Sequence, residues 1–287
     1  MSYETPQALR TALEQRLLNR SRESGVSLDR LRRRVIFERV LSRLQAAEPG
    51  QWVLKGGMAM EVRLKDGARS TKDMDLGLRA AGVDGEQLRE RVIEALGTDP
   101  YGDRFELEVG AAKRLMEDGG GYETWRLKVS AALADRRFGG MQLDISPRGH
   151  ELIDTETVPL PNFLAFADVQ TPEIEIIDAA RHAAEKLHAM TRDFGERENS
   201  RVRDLVDLMV LHENEMLSSG PLARAVRVVW SERERAAPPD DLPGPPESWA
   251  ERYGTLAAEL DLRAQSLTDA NAVVTALWSE LLQTEDA

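Results

Sequence analysis

The chain has 287 residues and a mass of 32.0 kDa, is 41% hydrophobic and 31% charged, and so can bury a sizeable core and is not wholly disordered. It has no cysteine and four scattered histidines, which excludes disulfides, thiol nucleophiles and Cys-based zinc sites. The net charge of −12 argues against a non-specific nucleic-acid coat, yet residues 1–150 hold 26 Lys and Arg against 23 Asp and Glu, and the rest 12 against 27. A polyanionic partner should therefore prefer the first half.

The opening is charged every few residues and lacks an apolar leader core, and no apolar run is long enough to span a bilayer, so a cytoplasmic location is expected. Residues 6–20 and 28–46 have helical apolar spacing, through Leu31, Val35, Ile36, Val40, Leu41 and Leu44, with Ser27 as N-cap. Strand-like runs follow at 52–54 (WVL), 72–78 (KDMDLGL), 105–110 (FELEVG), 125–133 (WRLKVSAAL) and 141–146 (MQLDIS), with a helix near 84–96. Turns are expected at 117–122 (EDGGGY) and 136–140 (RRFGG). After TVPLPNF at 157–163 the spacing predicts helices over 173–192, 200–216, 221–235, 247–263 and 267–283, broken by the proline-dense loop 236–247. The expected fold is α+β. Residues 1–160 form a lobe around a mixed, largely antiparallel sheet with N-terminal helices, and residues 161–287 an all-helical lobe.

Chemistry concentrates around KDMDLGL. Strand alternation puts Met74, Leu76 and Leu78 on one face and Asp73 and Asp75 on the other, roughly 7 Å apart along the strand. Two carboxylates so spaced suit hard cations, although a lone Asp-x-Asp can equally be a solvated strand face. Context separates the two. Lys55, Gly56 and Gly57 follow a strand and precede a helix, where backbone N–H groups can approach a phosphate. Downstream, Asp144 stands on the face of MQLDIS opposite Leu143 and Ile145. This order is similar to that of the DNA polymerase β-like nucleotidyltransferases, whose three carboxylates hold two Mg²⁺ for in-line displacement at a phosphate.

The stretch WVLKGGMAMEVRL…ARSTKDMDLGL, with Arg69, Ser70, Thr71, Asp73 and Asp75, further resembles the AbiEii family, the nucleotidyltransferase toxins of bacterial toxin–antitoxin systems that include the MenT proteins. Met58-Ala59-Met60 replaces the usual Thr-Ala-Leu, and Lys72 precedes Asp73. The family's later motifs match Ala184-Glu185-Lys186-Leu187 and Arg201-Val202-Arg203-Asp204-Leu205-Val206-Asp207-Leu208, so the resemblance covers roughly residues 50–212. It implies Asp73, Asp75 and Asp144 as metal ligands, with Asp144 drawing the proton from the attacking hydroxyl. Lys55, Gly56, Gly57, Arg69, Ser70 and Thr71 bind the nucleotide, while Lys186 and Asp204 close the site from the helical lobe. It also implies a nucleoside triphosphate substrate, tRNA 3′ ends as acceptor and a cognate antitoxin, with no membrane or DNA partner.

Read without the family, Lys186 lies off the stripe Ile177, Ala180, Ala184, Leu187 and Thr191, as solvated lysines do, so Lys186→Ala should leave stability almost unchanged. Asp207 is expected in an internal ion pair, with Arg201 and Arg203 at hand, and the four histidines are structural or surface residues. The Arg run at 30–34, together with Lys113, Arg114, Arg126, Lys128, Arg136 and Arg137, could guide an RNA backbone. Ser70 or Thr71 would be a control point if phosphorylated, against the plainer reading of a turn hydroxyl. Two rivals stand beside the tRNA reading. One is transfer to a small molecule or protein hydroxyl. The other is a non-catalytic nucleotide- or partner-binding module, which has no need of three converging carboxylates.

Overall fold

The computed structural model describes residues 3–115, 123–192, 195 and 198–284, and the glycine-rich turn expected at 117–122 lies outside them. The chain divides into two compact units, Met1–Val62 with Ser70–Ile176, and Arg63–Arg69 with Ile177–Ala287.

In the first unit, Thr5 caps α1 (Pro6–Ser24) by accepting from the Ala8 N–H, and Ser27 caps α2 (Leu28–Ala47) through the Arg30 N–H. Both helices turn their leucine and valine stripes into the core, Leu13, Leu31, Val35 and Val40 being fully buried. There follow β1 (Trp52–Lys55), α3 (Gly56–Leu64), β2 (Asp73–Leu78), α4 (Gly85–Gly97), β3 (Phe105–Val109), β4 (Lys113–Arg114), β5 (Trp125–Leu133), β6 (Arg136–Ser146), β7 (Thr155–Pro159) and β8 (Glu173–Ile177). Asp84 and Gln87 form a reciprocal capping box at the start of α4.

Among the described residues the strands form one eight-stranded sheet, in the order β3-β5-β6-β2-β1-β8-β7 with β4 on β5. It is mixed, as expected. β2 runs antiparallel to β1 and parallel to β6, β5 is antiparallel to β3 and β6, and β1 is parallel to β8.

Two expectations fail here. Residues 136–140 are strand, not turn. The chain reverses at Ala134 and Asp135, each at φ 55°, a two-residue hairpin whose left-handed backbone matches strand twist. Gly139 serves close packing instead, because a Cβ there would lie 2.8 Å from Ile36 of α2. Residues 173–177 are also strand rather than helix: Ile174, Ile176 and Ile177 are β-branched and buried, and β8 pairs with β1. The sheet therefore continues past the boundary expected at residue 160.

The second unit is built from α5 (Ala179–Thr191), α6 (Val202–Glu213), α7 (Ser219–Glu234), α8 (Ala250–Glu259) and α9 (Leu267–Gln283). Asp178 caps α5 through the Arg181 N–H. The α5 helix packs on α6 and α7, α6 on α8, and α7 on α9, where Trp230 and Trp278 meet at 5.3 Å between ring centres. Proline keeps 236–247 out of regular helix except at its last residue, Glu247, which opens a short 3₁₀ turn. No helix of the described residues is long and apolar enough to cross a membrane.

Candidate active site

The sheet aligns four chemistry-bearing residues across neighbouring strands. Asp75 on β2 is the register partner of Lys55 on β1 and of Asp144 on β6, and Asp144 is in turn the partner of Arg126 on β5. Register partners point to the same side of a sheet, so Lys55, Asp75, Asp144 and Arg126 share one face. Asp73, two residues before Asp75, is on that face too, opposite Gln142. Met74, Leu76 and Leu78 fill the other face and are fully buried, as the alternation predicts.

The turn from β1 into α3 is fitted to this row. Gly56 has φ 61°, and a Cβ there would fall 1.9 Å from a carboxylate oxygen of Asp75. Only glycine lets the Asp75 carboxylate lie against that backbone. Gly57 is buried in the first turn of α3, and the Lys55 ammonium lies 3.6 Å from Glu151. Before β2, the Thr71 N–H donates to Glu61 at 3.1 Å and its hydroxyl to the Asp73 carbonyl, while Ser70 is exposed. Glu61, which the sequence did not single out, is buried and also takes Arg34 at 2.6 Å and Arg30 at 3.3 Å. Apolar neighbours mask such a residue in the sequence.

Arg126 places its guanidinium fork on Asp144, with Nε 2.7 Å from one oxygen and Nη2 2.6 Å from the other, and Nη2 is 4.0 Å from Asp73. Its hydrogen bond to Asp144, with the added fields of Asp73 and Asp75, holds the guanidinium well above its usual pKa. The donor set is that of a hard divalent cation, three carboxylates on one face. Even so, among the described residues no group of three or more His, Cys, Asp or Glu side chains converges at metal-holding geometry. Of the three, Asp144 is engaged by the Arg126 fork.

Along the same sheet runs a cavity of about 570 Å³ lined by Arg33, Lys72, Lys128, Arg137, Gln142 and Glu108 among others. Four cations face one carboxylate, and Gln142 is the register partner of Asp73. Of the basic residues noted in the sequence, Arg33, Lys128 and Arg137 line this groove, whereas Arg30 and Arg34 hold Glu61, Arg126 holds Asp144, Arg32 and Arg114 pair with Glu14 and Glu123, and Lys113 and Arg136 are not in its lining.

In the second unit, Arg69, Lys186 and Asp204 are brought together by a residue expected to be merely structural. Asp207, 1% exposed, accepts a bidentate fork from Arg69 at 2.8 and 2.7 Å and the Lys186 ammonium at 2.6 Å. Lys186 also reaches Asp204 at 3.1 Å, and Arg201 lies 3.7 Å from Asp204. Asp207 is ion-paired, as expected, but to Arg69 and Lys186 rather than to Arg201 or Arg203. Burial works against both charges. For Lys186 the fields of Asp207 and Asp204 outweigh it and raise the pKa above the usual lysine value, and for Asp207 those of Lys186 and Arg69 outweigh it and lower the carboxyl below the usual range. Lys186 is 5% exposed, so the expectation of a solvated lysine fails: it is buried with its counterions. His182, one turn before it, accepts from Arg63 on Nδ1, and Arg63 also donates to the Ile177 carbonyl. Burial, with Lys186 and Arg63 nearby, pushes the His182 pKa well below the ordinary value. His182 and His188 are buried, while His150 and His212 are exposed.

A family model described as nucleotidyl transferase AbiEii toxin, type IV toxin–antitoxin system, matches residues 39–283. Among solved structures the chain is similar to MenT4, a nucleotidyltransferase toxin from Mycobacterium tuberculosis, at 17% identity and a TM-score of 0.58, over 96% of this chain and 90% of that one. A protein from H. pylori described as a nucleotidyltransferase aligns at 17% identity and a TM-score of 0.49, over 91% of this chain and 99% of that one. No curated protein sequence matches significantly.

Proposed function

The chain belongs to the AbiEii nucleotidyltransferase toxin family, and from that premise we propose that it moves a nucleoside monophosphate from a triphosphate to the 3′ end of an RNA, most fittingly a tRNA, in a Mg²⁺-dependent reaction. One observation carries the reading: Asp73, Asp75 and Asp144 share one sheet face, two of them register partners on parallel strands. Asp73, Asp75 and Asp144 would hold the metal, which when bound supplies positive charge to the phosphates and polarises the acceptor hydroxyl. Asp144 accepts the proton of that hydroxyl. The backbone at Gly56 and Gly57, with Lys55, steadies phosphate oxygens at the start of α3, and Ser70 and Thr71 shape the entry to β2. Arg69, Lys186 and Asp204 serve the nucleotide from their shared cluster, and a cognate antitoxin restrains the activity.

The basic groove favours a polyanionic acceptor over a small molecule, because Arg33, Lys72, Lys128 and Arg137 give a strand of phosphates successive counterions. Incubation with α-labelled nucleoside triphosphates and total RNA, beside a protein-only arm and a small-molecule arm, tests this. Label in small RNA, lost in Asp75→Asn, is the expected result. Label confined to the protein or to small molecules would overturn the RNA reading.

A further inference from the structure

The carboxylate row already contains a cation, and it is a side chain. The Arg126 guanidinium takes both oxygens of Asp144, lies 4.0 Å from Asp73, and feels the charge of all three aspartates. A planar fork of this kind occupies a lone pair on each of the two carboxylate oxygens. A divalent ion drawing on all three carboxylates needs that same space. The exposures are unequal: the Arg126 side chain is 32% exposed and that of Asp144 11%. The Arg126 guanidinium therefore has water within reach when it leaves the pair, whereas the Asp144 backbone stays fixed by its strand pairing on both sides.

We propose that Arg126 is a built-in surrogate for the metal, engaging Asp144 until a divalent cation displaces it, so that metal loading and release of Arg126 are one exchange. The proposal rests on the metal-dependent reading above. It makes Arg126 a positioning residue that sets how much free metal is required. Once displaced, Arg126 is on the same face of β5 as Lys128, two residues on, and adds a positive charge beside the groove for the acceptor. Loading the metal would then also prepare the acceptor site.

Binding of Mn²⁺ alone, followed by electron paramagnetic resonance on the full chain without nucleotide, tests the exchange and does not depend on turnover. Arg126→Met should bind Mn²⁺ about tenfold more tightly than the parent, since a charge-assisted pair no longer competes. Loss of a nearby positive charge would give part of that gain through the field alone, so Arg126→Lys is the discriminating variant. It keeps the charge and loses the fork, and should still bind at least about threefold more tightly. Asp75→Asn should bind more weakly. If Arg126→Lys matches the parent, or if either Arg126 variant binds more weakly while melting normally, the exchange is overturned and the metal reading stands. If the parent binds no Mn²⁺, or Asp75→Asn binds it equally well, the metal reading falls and the exchange with it.

Discussion

A methyl group at Gly56 would collide with the Asp75 carboxylate in a backbone conformation that side chains avoid. Gly56→Ala should therefore cost about 1–3 kcal/mol in denaturant melts and also depress transfer, since Asp75 itself must move. Asp73→Asn and Asp75→Asn act differently: both side chains keep their shape, so melting should hold while transfer falls by on the order of 1,000-fold or more. Near-parental turnover in Mg²⁺ would refute their assignment as ligands. For Lys186 the structure changes the expectation. Removing a buried ammonium leaves Asp204 and Asp207 short of a counterion, so Lys186→Ala should lower stability by about 2–4 kcal/mol as well as slow transfer by about 100-fold. The lower figure applies if Arg69 alone can neutralise Asp207. Lys186→Arg should restore only part of the rate, because a planar fork does not reproduce a compact point charge between those carboxylates.

At the level of the elements, two buried groups give the units opposite pH responses. His182 on α5 has a lowered pKa, so as pH falls through about 6.5 the unfolded chain takes the proton first and the second unit loses stability, by at most about 1.4 kcal/mol per pH unit. His182→Gln should flatten that slope between pH 7.5 and 5.5. Glu38 on α2 is raised to about 7 by burial, which outweighs Arg39 and the Phe163 N–H. It contributes stability below its unfolded value near 4.5 and loses it as pH rises towards 7, so Glu38→Gln should stabilise the first unit most near pH 7. Thermal melts across that range, read by unit, check both signs. The elements differ in how readable they were. The alternation of β2, the Ser27 cap and the β1–α3 glycine turn are local signals and were legible. The strand at 173–177 was not, because EIEII is short and apolar, and only its parallel pairing with β1 separates it from the helix that follows. The hairpin at Ala134 and Asp135 carries no glycine, and RRFGG drew the turn towards itself. In the site, the carboxylate row was legible from order and alternation. The partners of Asp207 and Asp144 were not: Arg69 is 138 residues from Asp207, and Arg126 meets Asp144 only in the register of the β5–β6 hairpin, whose turn the sequence misplaced.

For the molecule as a whole, the acidic average hides a basic groove, and salt should reveal it. The double variant Lys128→Ala, Arg137→Ala should weaken binding of single-stranded RNA and make the logarithm of affinity less steep in the logarithm of salt by roughly 1–2. Its nucleotide affinity should be unchanged. A parental salt slope would show that the acceptor lies elsewhere. The sheet's pairing order has a temporal consequence too. Asp75 meets Asp144 only across parallel strands, and β1 is completed only by β8, which ends at Ile177. A chain emerging from the ribosome at about 5–20 residues per second must wait many seconds after β2 before its partners exist. Until then β1 and β2 can form only an antiparallel pair, connected through α3, with open edges on both sides and two of the three carboxylates. A chain that stops short of β6 lacks Asp144 and therefore the third carboxylate of the row, so a fragment ending before residue 136 should show no nucleotide transfer.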